Sequence, residues 1–524
     1  MKKSVSTSRR MITLFNSIIF FFCTSTAFAQ LSSSQIDILM KDALAKFNVA
    51  GAAIAIVKDG KIIHQKGYGV SSIETKIPVN ENTSFQIGSN TKSFTAAAFA
   101  ILVDEGKIKW TDKVKNYLPD FKMYDNYVTE NFNIQDLLSH HSGLEPGAGD
   151  PMLFPDGSNF TVKDILSSLQ YFKPVSDFRS DFTYNNLLYI VASEVIAKVS
   201  GMSYEVFVQK RILEPLQMNN TFFYSMMKDK NNLATPHLSE SGTIKTIKHF
   251  DEKLTSGAGG VFSSVADMSK WMIMHLNKGN YGSDLKSTLI SLNSRNEMWS
   301  LHTVMPAPPF PRYNTHFFGY GLGWGLGDMK GNLVVDHEGS CPGMISQVRM
   351  LPDLNLGIVI LTNTDKGGIG LTASIMNTIV DSYLGLDDFG WTGKIAANMK
   401  REDHANDELI KNVWAKVDSL KNIKVKNENY VGIYEDKWFG KIEVFLKDKQ
   451  LWIKCMRSPK LNGPMALYGD YVFVVKWEYR DSNCDALISF ALDKNSIGQS
   501  IKMTTILPDN DYFQSLNFQK IDKE

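Results

Sequence analysis

Two β-rich runs, Ala52 to Lys58 and Lys61 to Val70, flank Asp59-Gly60 early in the chain, and that dipeptide predicts a tight hairpin. From Phe94 to Val103 only Thr95 is polar, so the pattern predicts a helix buried on every side, with Gly106 as its stop. Between about 110 and 310 the chain reads as helices and loops punctuated by Gly and Pro. Strand patterns return at Tyr320 to Gly325, Leu333 to His337, Ile345 to Leu351 and Leu356 to Leu361. Leu371, Ile375 and Ile379 then recur at helical spacing. Strands at both ends with helices between predict an α+β unit: one discontinuous sheet carrying an inserted helical lobe.

The stretch from about Gly393 to Asn429 is charged and partly amphipathic through Leu409, Val413 and Leu420, as expected of a helical linker. Beyond it, Tyr430 to Gln519 alternates and turns repeatedly, for example at Lys441 to Leu446 and Tyr471 to Val475. Short strands at regular spacing predict a small β-barrel or sandwich. A chain of 524 residues also exceeds what a single core usually serves.

Composition narrows the function classes. With 43% hydrophobic and 21% charged residues the chain is an ordinary folded protein, neither disordered nor collagen-like. Fifty-six Lys and Arg against 55 Asp and Glu give a net charge of +1, which offers no electrostatic footprint for nucleic acid. A small substrate is the expectation. Lys2, Lys3, Arg9 and Arg10 precede an apolar run from Met11 to Phe22, and Ala27-Phe28-Ala29 supplies small residues for cleavage before Gln30. Residues 1–29 therefore read as a signal peptide, and the mature chain as exported, periplasmic or secreted, without a stable membrane span. Cys341, Cys455 and Cys484 are too scattered for a disulfide framework or metal site; a Cys455–Cys484 bridge and buried thiols both remain open. No metal or cofactor is implied.

A serine hydroxyl needs a base within hydrogen-bond reach to act as a nucleophile. Ser-x-x-Lys on a helix places both side chains on one face, and burial makes the neutral, proton-accepting lysine accessible. The pattern occurs at Ser89/Lys92, Ser225/Lys228 and Ser283/Lys286, but only Ser89 opens the buried helix. The helix N-terminus there favours developing negative charge. Tyr184-Asn185-Asn186 fits Tyr-x-Asn, as does Tyr124-Asp125-Asn126. A tyrosine beside a cationic lysine ionises more easily and can serve as acid or base, and an amide two residues on can hold a substrate amide. His337-Glu338-Gly339 lies on a strand pattern, with His141-Ser142-Gly143 as its competitor. Glycine after a polar residue on an edge strand lets a substrate lie along the strand, and the amides of Ser340 and Ser89 would then form an oxyanion hole.

Taken together and in this order, the three motifs resemble the signature of the serine β-lactamase and penicillin-recognising superfamily. Leu137 to Leu144, Pro215 to Met218, Gly259 to Ser264 and Tyr320 to Trp324 resemble the branch containing class C β-lactamases, D-aminopeptidases, DD-carboxypeptidases and related esterases. The likeness covers about Ser34 to Leu384. It implies an antiparallel sheet flanked by helices and an acyl-serine intermediate. In that reading Ser89 attacks, Lys92 and Tyr184 move protons, and Asn186, His337 and Gly339 meet the substrate. Ser139, His140 and Gly143 take a structural loop role. Residues 430–524 resemble the lipocalin-like barrel some members append. The division expected is 1–29, 30–392, a linker at 393–429, and 430–524.

His337 stands where β-lactamases carry a lysine. Histidine is mostly neutral at pH 7 unless a neighbour such as Asp336 or Glu338 raises its pKa, so capture of a substrate carboxylate is weakened. The ranking that follows is a peptidase or amidase on D-amino-acid-containing or small peptides, then a carboxylesterase, then a class C-like β-lactamase. A penicillin-binding receptor acylated without turnover is the reading from a different class. A homo-oligomer is compatible with the sequence.

Overall fold

The computed structural model describes residues 30–240, 242–251, 253–481, 484–507 and 513–521. The expected export signal, residues 1–29, lies outside the described residues. The chain opens with α1 (Ser33–Lys46), whose start is fixed by a capping box between Ser32 and Gln35. Strands β1 (Gly51–Lys58) and β2 (Lys61–Gly69) follow as the predicted hairpin, with Asp59 and Gly60 both at positive φ.

After the inserted lobe come β3 (Thr303–Met305), β4 (Phe318–Tyr320), β5 (Gly325–Met329), β6 (Asn332–Cys341), β7 (Met344–Leu351) and β8 (Leu356–Thr362). They complete an eight-stranded sheet of order β3-β4-β5-β6-β7-β8-β1-β2, antiparallel at every pairing. The run Tyr320 to Gly325, expected as one strand, is instead the turn between β4 and β5. Gly321 N–H donates to the Trp324 carbonyl, and Gly323 takes positive φ against the buried helix.

Both faces of the sheet are covered, which explains the unbroken apolar run of β1. Ala52, Ile54 and Ile56 pack into one core with α1 and α5 (Lys366–Tyr383), whereas Ala53, Ala55 and Val57 face the other core. That second core holds α2 (Thr91–Asp104), whose residues from Thr91 to Leu102 are all buried, and extends into the lobe. Within the lobe, α3 (Leu187–Ser200) and α4 (Val265–Leu276) pack around α2 and the sheet.

The helix α6 (Trp391–Leu420) leads out of this unit. The chain then builds β9 (Gly432–Asp436), β10 (Gly440–Lys447), β11 (Gln450–Cys455), β12 (Asn462–Gly469), β13 (Val472–Val475), β14 (Ala486–Leu492), β15 (Gly498–Thr505) and β16 (Phe518–Ile521). Each pairs with the next, and Ile433 opposite Ile521 closes the barrel. Alternate residues such as Ile442, Val444, Ile453, Phe473, Ile488 and Met503 are buried. Cys455 is a buried thiol, so it forms no bridge with Cys484.

The barrel docks on the segment of the lobe that follows Gly149. Arg457 Nη1 and Nη2 each donate to the Asp164 carboxylate over 2.9 Å, and its Nε donates to Asn159 Oδ1, also at 2.9 Å. Phe160 packs on Phe439 and Phe172 on Trp438, with ring centroids 5.4 and 5.0 Å apart. An ion pair between Lys460 and Asp156 extends the same contact.

Candidate functional site

Ser89 sits in a single 3₁₀ turn, Gly88–Asn90, which runs directly into α2. One turn further, Lys92 is fully buried, with Nζ 3.0 Å from Ser89 Oγ. The same nitrogen donates to Asn186 Oδ1 at 2.9 Å and to the Ala258 carbonyl at 3.1 Å. The Tyr184 hydroxyl also donates to Ser89 Oγ, at 2.7 Å. Lys92 and Tyr184 thus meet at the Ser89 hydroxyl, and Asn186 joins them through Lys92.

Tyr184 and Asn186 precede α3, and the loop after Leu138 holds them in place. His140, itself at positive φ, lays its ring 4.1 Å from that of Tyr184 and accepts the Asn185 N–H on Nδ1 at 3.2 Å. Its carbonyl accepts the Thr183 N–H. Burial, opposed by the Ser89 contact, pushes the Tyr184 hydroxyl above the usual phenol range. The expectation of an easily ionised tyrosine is therefore corrected: the group is a protonated donor.

The strand β6 passes behind Ser89. It is an interior strand over its first half, ending its pairing with β5 at Asp336 opposite Gly325; only His337 to Cys341 has a free edge. Gly339 serves a tighter purpose than leaving room for substrate. A Cβ there would lie 1.9 Å from the Ile87 carbonyl oxygen and 2.5 Å from Ser346 Oγ. Gly88 lies equally close to the strand, since its Cβ would stand 2.8 Å from Ser340 N. The Ser340 amide is thereby held beside the turn that carries Ser89.

His337 is buried, and its neighbours differ from those the sequence suggested. Asp336 is engaged by Arg349 at 2.8 Å, and Glu338 accepts from Gln347. His337 Nδ1 contacts the Glu338 carbonyl at 2.6 Å, and Nε2 contacts the Tyr320 hydroxyl at 2.7 Å. Burial, reinforced by the Lys92 charge, pushes the imidazole down to about 3, so it is neutral. The Glu338 carbonyl can only accept, which places the ring proton on Nδ1 and makes Nε2 the acceptor for Tyr320.

The competing motifs have other roles. Tyr124 donates to the Ser142 carbonyl, and Asp125 caps the helix Asn126–Asn131. Ser225, Lys228, Ser283 and Lys286 are exposed. Ser139, His141 and Asp136 cluster, yet both contacts fall on His141 Nε2, at 2.9 and 2.7 Å, so no relay runs through the ring.

The sequence reading missed Asp150. Asn186 Nδ2 stands 3.3 Å from both of its carboxylate oxygens. Burial pushes this carboxyl up to about 7, against the opposing influence of Asn186 and Lys92. Asp150 and Asn186 line a cavity of about 500 Å³ with Phe154, Ser340 and Ile345. Its far wall comes from the barrel, through Tyr479, Arg480, Asp481 and Phe513. In sequence Asp150 is an acid between glycines and a proline, which reads as an exposed turn.

Residues 36–373 match the family model described as Beta-lactamase, and residues 425–520 match the one described as Domain of unknown function (DUF3471). Unguisins hydrolase ungD of Aspergillus violaceofuscus (strain CBS 115571) is 28% identical over 432 residues, 77% of this chain and 75% of that protein. The octameric penicillin-binding protein homologue from Pyrococcus abyssi superposes with a TM-score of 0.58 at 21% identity, covering 94% of this chain and all (100%) of that one. SurE with D-Leu superposes at a TM-score of 0.53 and 17% identity, covering 93% and 99%. Both structural likenesses show the shared fold.

Proposed function

Since the chain belongs to the beta-lactamase family, a family of serine hydrolases, we propose that it cleaves an amide bond of a small or D-residue-containing peptide through an acyl-Ser89 intermediate. The observation that carries this reading is the convergence of Lys92 and Tyr184 on Ser89 Oγ. Asn186 Oδ1 and the Ala258 carbonyl can only accept, and they take two N–H groups of Lys92. An amine at this position then turns its lone pair toward the Ser89 proton.

Each step follows from those contacts. Ser89 Oγ attacks the carbonyl as its proton passes to Lys92, and the amides of Ser89 and Ser340 hold the oxyanion. On collapse the C–N bond breaks and Tyr184 donates its proton to the leaving nitrogen. Lys92 then returns a proton to Tyr184. Water repeats the sequence on the acyl-enzyme.

Neutral His337 supports an amide or ester substrate over one selected by a free carboxylate, and so supports peptidase or amidase over β-lactamase. The names of the hydrolase relative and of the D-Leu complex agree with hydrolysis and with a D-residue. The reading includes export, from the composition of residues 1–29. A fluorophosphonate probe with mass mapping tests it: the adduct should fall on Ser89 and vanish in Ser89→Ala. Labelling that survives this substitution, or a chromogenic cephalosporin with by far the highest kcat/KM, removes the proposal.

A further inference from the structure

Cations and carboxylates around the 500 Å³ cavity are paired unevenly. Lys366 contacts Asp403 at 3.0 Å, and Arg480 contacts Asp485 at 2.6 Å. Asp150 has no such partner among the described residues. Its carboxylate receives a single described donor, the Asn186 amide, at a long 3.3 Å, although it is only 8% exposed. Two carboxylate oxygens offer about four acceptor positions, so most of this capacity is unmet among the described residues. An ionised carboxylate enclosed with so little compensation is costly, and it becomes favourable when a cation arrives.

The placement of Asp150 indicates which cation. Ser89 Oγ, Lys92 Nζ, the Asn186 amide and the Asp150 carboxylate form a continuous chain, with links of 3.0, 2.9 and 3.3 Å. A substrate whose carbonyl is attacked by Ser89 lies alongside this chain. The α-nitrogen of an amino-terminal residue is one carbon from that carbonyl, and the proposed pose turns it toward Asn186 and Asp150. We infer that Asp150 receives the free α-ammonium of the substrate, so that the site selects peptides and amides with an unblocked amino terminus. Asn186 spans the two functions, since its oxygen is fixed by Lys92 and its nitrogen orients the carboxylate.

The electrostatics support this assignment. Asp150 faces Lys92 across Asn186, and faces the Tyr184 hydroxyl, which is protonated; neither group makes a direct ion pair with it. Burial moves the carboxyl up to about 7 against the opposing influence of Asn186 and Lys92, so around neutral pH an incoming ammonium would shift it to the ionised form. A blocked amino terminus brings an uncharged amide that leaves the carboxylate uncompensated, and discrimination against it follows.

This inference rests on the acyl-Ser89 reading for its substrate pose, but its test does not depend on Ser89 reactivity. In the full-length Ser89→Ala protein at pH 7.5, calorimetry would compare D- and L-alaninamide with their N-acetyl counterparts. Binding at least about tenfold tighter for the free amines is expected, and in Ser89→Ala/Asp150→Asn this preference should fall below about threefold. Equal binding of free and acetylated amides in the protein that retains Asp150 overturns the assignment without any change at that position. A preference that persists in the folded Asp150→Asn protein also overturns it. Failure of Ser89 labelling, by contrast, counts against the hydrolase mechanism alone.

Discussion

The Tyr184 hydroxyl stands 2.7 Å from Ser89 Oγ and donates to it, while burial keeps the phenol protonated. In the proposed mechanism the tyrosine is then the proton source for the leaving group. Tyr184→Phe should lower kcat by about 10²-fold or more, the range for a positioned acid. A good leaving group, as in an activated aryl ester, needs that proton less and should lose less rate. Equal losses on amide and aryl ester would argue against the acid role.

Gly339 is where β6 touches the backbone just ahead of Ser89. In Gly339→Ala the added Cβ would meet the Ile87 carbonyl at 1.9 Å, so strand and turn must separate. Overpacking of this kind costs about 1–3 kcal/mol. Thermal unfolding should show that loss, and Ser89 labelling should slow because the Ser340 amide moves with the strand. Unchanged stability together with unchanged labelling would show that the contact yields freely.

The barrel braces the segment that carries Asp150. Arg457→Ala removes both bonds to Asp164 and both of its side-chain bonds to Asn159, leaving a partly exposed carboxylate behind. Denaturant unfolding should register a loss of roughly 1–2 kcal/mol. Looser anchoring of residues 150–164 should also raise KM more than it lowers kcat. Wild-type kinetics in a chain ending after about Lys400 would remove any role for the barrel in substrate binding.

His275 on α4 is buried among Trp271, Trp299 and Trp324, and neither ring nitrogen has a described hydrogen-bond partner. Burial, with Arg295 nearby, pushes it down to about 3. The unfolded chain therefore binds a proton near pH 6.5 that the folded chain refuses until about pH 3. Stability attributable to this group is complete above pH 6.5 and is lost as pH falls toward 3, at up to about 1.4 kcal/mol per pH unit. His140 and His337 are shifted in the same direction. Denaturant midpoints at pH 7.5, 6 and 5 should fall in that order, and His275→Leu should flatten the slope by up to one proton. An unchanged slope would mean that the ring is charged in the fold.

Much of this molecule is local and therefore legible in one dimension. The Asp59-Gly60 turn, the unbroken apolar run of α2 and the alternation in the C-terminal strands each depend on a few neighbouring residues. The preference for Ser89 over Ser225 and Ser283 also follows from local context, because only one of the three serines leads into a long, almost wholly apolar run. The order of strands at both chain ends with helices between likewise anticipates the α+β sheet with its inserted lobe.

What tertiary structure alone decides is which groups lose water and which partners replace it. Asp150 and Asn186 are 36 positions apart, and Tyr320 and His337 are 17 apart. No periodicity links such pairs. Asp150 looks like a turn acid until the barrel and lobe close around it, and His337 looks titratable until Tyr320 and burial hold it neutral. Gly339 appears to make room for a ligand, yet the space is taken by the Ile87 carbonyl. Sequence determines secondary structure through short-range sterics and apolar spacing, whereas the chemistry of the site depends on desolvation and on hydrogen bonds that exist only once distant segments pack together.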